Sequence, residues 1–161
     1  MDTIAGEITN NQKHENYREQ FNRLNKSLAN GFNLEAMFIE YAIIEDRTES
    51  VLRHAGLWDA YLKKRKGREP SLDSKIKYIY SHAQNGIAGL KKRFSDDLLP
   101  EILAWKEERN RLIHALLKQK LEQDEIRSIA ERGNELVKTL RCRSSQYNRD
   151  VAKLDIKAVI K

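Results

Sequence analysis

Apolar residues recur along this chain at steps of three and four, the spacing that lines up one face of an α-helix. Tyr17, Phe21, Leu24 and Leu28 form such a stripe between His14 and about Ala29, where Asn30 and Gly31 supply a stop. A longer stripe follows in NLEAMFIEYAIIEDRTESVLRHAG, through Leu34, Met37, Phe38, Tyr41, Ile44, Thr48, Val51 and Leu52. Asn33 is placed to cap this helix and Gly56 to end it. Glu40, Glu45, Asp46 and Arg47 fall on its other faces and read as solvated surface with intrahelical ion pairs.

The period then lapses. WDAYLKKRKGREPS gathers Lys63, Lys64, Arg65, Lys66 and Arg68 around Gly67 ahead of Pro70, and reads as a basic loop. Ser71 is placed to cap a third helix whose stripe is Leu72, Ile76, Ile79, Tyr80 and Ala83, and Asn85, Gly86 and Gly89 break it. Ser95, Asp96 and Asp97, or Pro100 in a first turn, open a fourth helix that runs to about Leu121. A fifth begins near Asp124 with Ile126, Ile129, Leu136, Val137 and Leu140, and AKLDIKAVIK either continues it or packs as a last turn. Residues 1–12 read as a flexible polar tail, leaving 13–161 as one helical domain. No long repeat announces a solenoid, and short links between helices predict an all-α, antiparallel bundle of four to five helices.

Composition agrees. A chain of 161 residues with 40% hydrophobic content suits one domain, and two prolines with seven glycines favour long helices over many turns. The single Cys142 has no intrachain partner and no paired Cys and His spacing suggests a metal, so neither disulfide nor cofactor is expected. Without an apolar leader or spanning run, the reading is a soluble cytoplasmic protein with no membrane partner. The formal charge of +6 and pI near 9.4 lean towards a polyanionic partner.

On the fourth helix, which contains WKEERNRLIHALL, the stripe Ile102, Trp105, Leu112 and Leu116 has Arg109 in register, where a leucine would be ordinary. A buried charge costs several kcal/mol unless it is paired or faces a functional cleft. One reading has Arg109 snorkelling past Trp105 to a carboxylate such as Glu45, as a plain helical scaffold would use it. The other makes it part of a site. Asn110 and His114 are four apart, within about 40° of each other, close enough to hydrogen-bond and set the imidazole tautomer. Arg109 and His114 diverge by about 140°, so two copies of the helix across a two-fold axis would be needed to line one cleft with both.

The string RNRLIH, residues 109–114, resembles the R-x(4 to 6)-H motif of the HEPN superfamily, with Asn110 as the polar residue those proteins place after the arginine. The resemblance extends loosely over residues 33–140. It implies a metal-independent endoribonuclease with a composite site at a homodimer interface, working in toxin-antitoxin or antiviral defence. By that likeness His114 is the general acid or base, Arg109 holds the scissile phosphate, and Asn110 orients one of them. The 2′-hydroxyl is an internal nucleophile, so RNA rather than DNA is the implied substrate. HEPN toxins silenced by a nucleotidyltransferase antitoxin often carry a tyrosine two residues past the histidine, where this chain has Leu116. An antitoxin or regulatory partner is thus implied, but not by that modification. The alternative is a non-catalytic HEPN-like binding or assembly module.

Beyond the motif, Lys63, Lys64, Arg65, Lys66 and Arg68 are candidates to grip an RNA backbone. Glu45 and Asp46 are candidates to position Arg109 or tune His114 from behind. His14, His54 and His82 read as surface or helix-end residues, and the tyrosines as packing.

Overall fold

A computed structural model describes residues 9–159, with side chains to residue 155. The described residues form seven α-helices: α1 (Asn10–Ala29), α2 (Asn33–His54), α3 (Trp58–Arg65), α4 (Leu72–Gln84), α5 (Lys91–Phe94), α6 (Leu98–Ala115) and α7 (Gln123–Val159). No strand occurs among the described residues, so the fold is an all-α bundle. Five of the helices are long enough to build its walls, and no helix described is long and apolar enough to cross a membrane.

Local chemistry explains most boundaries. Thr9 and Gln12 form a reciprocal capping box, which starts α1 inside the stretch expected to be a polar tail; residues 10–12 are helical, and 1–8 lie outside the described residues. Ser71 caps α4 as expected, with Ser74 completing the box. Asn33 does not cap α2: Phe32 precedes the helix without a side-chain cap, and Asn33 is its buried first residue. Gly31 and Gly56 follow the ends of α1 and α2 with φ of 75° and 66°, a conformation that glycine reaches without a Cβ penalty.

Two segments depart from the sequence pattern. The basic loop expected after α2 is in part the helix α3, held by packing that eight residues cannot announce: Tyr61 is buried, stacks on Trp58 at 5.4 Å, and its hydroxyl meets Ser74 Oγ at 2.7 Å. The fourth helix of the pattern stops at Ala115 rather than near Leu121, and α7 absorbs both the fifth helix and the tail as far as Val159, with residues 160–161 outside the described residues.

Ion pairs set the directions of the walls. Lys13–Asp46 (2.9 Å) and Arg23–Glu35 (2.6 Å) tie α1 antiparallel to α2, while Arg111–Glu125 (2.9 Å), Arg132–Glu108 (2.8 Å) and Arg143–Asp96 tie α6 antiparallel to α7. Between α4 and α6 the chain caps the far part of α7, with Tyr147 Oη donating to the Ala88 carbonyl (2.7 Å) and Arg93 bridging to Asp150 (2.8 Å). Helix α2 touches α1, α4 and α7, so its buried arc is wide. Met37, Ile44, Thr48, Val51 and Leu52 of the expected stripe are buried, and the arc widens to take in Ala36, Ile39 and Ile43, whereas Leu34 and Phe38 are 43% and 69% exposed.

Candidate active site on α6

Trp105 anchors α6. It is fully buried, and its Nε1 donates to the Ile129 carbonyl on α7 at 2.9 Å. One residue on, Lys106 pairs with Asp73 at the start of α4. These two ties fix the rotation of α6 and therefore the direction in which the next turn points.

That turn carries Arg109. Its guanidinium lies over the ring of Tyr41 on α2, with Cζ 4.7 Å from the centroid, and Nη1 donates to Asn110 Oδ1 at 3.1 Å. The residue is half-buried, and its Nε is shielded from solvent without a hydrogen-bond partner. Burial pulls Arg109 below the ordinary arginine range, while Tyr41 and Glu40 oppose that effect.

Glu40 is the carboxyl group behind this arginine. Expected on a solvated face, it is instead fully buried on α2, and neither oxygen has a hydrogen-bond partner. Its carboxyl group and the Trp105 ring fill the space beside the Cα of Gly133 on α7, where a Cβ would overlap both. Burial pushes its pKa up to about 9, with Arg109 acting in the opposite sense. At neutral pH Glu40 is therefore a neutral acid, since a buried carboxylate without a bonded cation is the costlier state.

The carboxylates expected behind Arg109 go elsewhere. Glu45 meets Lys75 Nζ at 3.5 Å, and Asp46 binds Lys13 and Arg47 on the α1 side of α2. The scaffold pairing of Arg109 with Glu45 is thus not formed, and the residue that the sequence pattern missed is Glu40. A signal for it existed: Glu40 stands three after Met37 and four before Ile44, on the same helical row as two apolar residues.

His114 lies in the last turn of α6, exposed. The expected hydrogen bond from Asn110 to its imidazole is not formed; the Asn110 oxygen accepts from Arg109. Arg109 points inward to Tyr41 and His114 outward to solvent, so one chain does not bring the two groups onto one atom. Around His114 the surface turns apolar: Ile113 and Leu116 are each 37% exposed and Leu117 is 99% exposed.

The basic run sits apart, at the end of α3. Lys66 ends that helix in the left-handed region (φ 52°), followed by Gly67. Arg65 turns inward to donate to the Glu69 carbonyl, and Lys64 approaches the Tyr78 ring at 5.5 Å. Lys63, Lys66 and Arg68 are exposed. Among the described residues no cluster of His, Cys, Asp and Glu is arranged to hold a metal ion.

No protein-family model, no curated protein and no solved structure matches this chain.

Proposed function

We propose that this chain is a metal-independent endoribonuclease of HEPN type, acting in a toxin-antitoxin or antiviral defence setting through a composite site at a homodimer interface. The observation that carries the reading is the state of Arg109. Its guanidinium is held over Tyr41 and braced by Asn110, and no carboxylate of the described residues hydrogen-bonds it, so no acid competes with an anion for its outer nitrogens.

The chemistry needs few parts. The ribose 2′-hydroxyl attacks the adjacent phosphorus and loses its proton, the bond to the 5′-oxygen breaks, and that oxygen gains a proton; the products are a 2′,3′-cyclic phosphate and a 5′-hydroxyl. His114 takes the first proton or supplies the second, a task suited to imidazole near neutral pH. Arg109 binds a non-bridging phosphate oxygen and stabilises the charge that builds on it. Because the two groups diverge along one helix, a second copy completes the cleft, and the exposed Ile113, Leu116 and Leu117 provide apolar surface to bury beside it. The exposed cations at the end of α3 would hold more distant phosphates.

The rival reading, a non-catalytic HEPN-like assembly module, draws on the same apolar rim. Cleavage of a labelled structured RNA in EDTA by wild type, Arg109→Ala and His114→Ala separates them. Cleavage that both folded variants lose is the expected result. No cleavage by any of the three, or equal cleavage by all, gives the assembly module.

A further inference from the structure

On another face of the bundle, α1 and α7 flank an open groove of about 630 Å³. It is distinct from the Arg109 cleft, since Arg47 and Tyr41 on α2 diverge by about 120°. Four cations line it, Lys13, Arg18, Arg47 and Arg141, and no lining residue is acidic.

Its floor is aromatic. Tyr17 and Phe21 lie with centroids 5.7 Å apart; Arg47 Cζ sits 4.5 Å over the first ring and Arg141 Cζ 4.4 Å over the second. Asp46, just outside the groove, takes up Lys13 and Arg47. Arg18 and Arg141, both exposed, form no ion pair with a carboxylate among the described residues. A guanidinium laid on a ring keeps its plane fixed, leaving the opposite face for a nucleobase and the N–H edge for a phosphate. Asn22 and Asn25 add amides that donate and accept, as base edges require.

We propose that the α1–α7 groove binds single-stranded RNA, with phosphates on Arg18 and Arg141 and a base stacked on the Arg141 guanidinium. A duplex would keep its bases stacked within itself and leave this floor idle, and an acidic peptide would use the charges alone. The choice of RNA over single-stranded DNA rests on the nuclease reading, while binding in the groove is measured apart from cleavage.

The test is fluorescence anisotropy of the full chain with a short unstructured RNA, 2′-O-methylated so that no attacking hydroxyl is present. Wild type is compared with Arg18→Gln/Arg141→Gln and Arg18→Glu/Arg141→Glu, each checked for an unchanged melting temperature. The expected result is binding by wild type, weakened about ten-fold or more in both groove variants. The slope of log affinity against log salt should fall in magnitude by about 1.4 for two lost phosphate contacts on a single strand. Unchanged affinity in the groove variants, no binding by wild type, or displacement by poly-glutamate as effective as by unlabelled RNA would each overturn the proposal. Cleavage that survives in the groove variants alongside unchanged RNA affinity would remove the groove and leave the nuclease. Groove-dependent binding without cleavage by wild type would do the reverse.

Discussion

The Glu40 carboxyl group rests against the bare Cα of Gly133, and Trp105 closes the third side of the same space. A glycine inside the long helix α7 gives up roughly 1 kcal/mol of helix propensity relative to alanine. Its presence is explained by volume, because a methyl group there would overlap both the acid and the indole.

Gly133→Ala should accordingly destabilise the fold although it improves the helix. Overpacking costs ~1–3 kcal/mol, which outweighs the propensity gain once buried Glu40 and Trp105 must both shift. A lower urea midpoint with an unchanged slope is expected, recovered in part by Glu40→Ala in the same chain. A variant as stable as wild type would mean that the space is not filled as described.

Glu40 also predicts how stability depends on pH. Its folded pKa, about 9, lies above the ordinary value of 4.5 that applies to the unfolded chain. Between those values the folded state binds more protons, so this group's contribution is fully present below pH 4.5 and declines as pH rises towards 9. The steepest slope one group can give is ~1.4 kcal/mol per pH unit. Glu40→Gln should flatten the fall in melting temperature between pH 5 and 9; parallel curves for the two proteins would refute a neutral buried acid.

How far the site was legible follows from these residues. Arg109 stood out because a charge interrupted an otherwise apolar row, and the structure finds it half-buried. Glu40 interrupts a row on α2 in the same way, but Glu45, Asp46 and Arg47 follow it and make a solvated face the easier reading. Its neighbour Gly133 is remote in sequence, and close approach between helices leaves no local period. The caps at Ser71 and the stops at Gly31 and Gly56 were legible because each is satisfied within a few residues. Helix α3 was not, since one buried tyrosine makes no stripe.

Arg109 and His114 should respond differently to substitution. His114 is exposed, so His114→Ala should leave the melting temperature unchanged while lowering RNA cleavage ~10²–10⁴-fold. Arg109→Lys keeps the charge but loses the fork and the guanidinium contact with the Tyr41 ring, and cleavage should fall about 10²-fold or more. Full activity in the lysine variant would show that a point charge suffices and that the oriented guanidinium is irrelevant.

The composite cleft requires two copies of the chain. Arg109 faces Tyr41 while His114 faces solvent beside Ile113, Leu116 and Leu117, so both groups reach one phosphate only if a second copy docks on this end of α6. Leu117 is 99% exposed and supports nothing within its own chain, which allows Leu117→Glu to probe association without touching the core. Sedimentation of wild type should show a dimer and that of Leu117→Glu a monomer with the same melting temperature at low concentration, and cleavage should vanish with the dimer. Adding inactive Arg109→Ala to inactive His114→Ala should restore part of the activity, because the shared cleft of a mixed dimer still receives one intact Arg109 and one intact His114. A monomeric wild type that cleaves RNA, or a mixture that stays silent while dimers form, would exclude a site shared between copies.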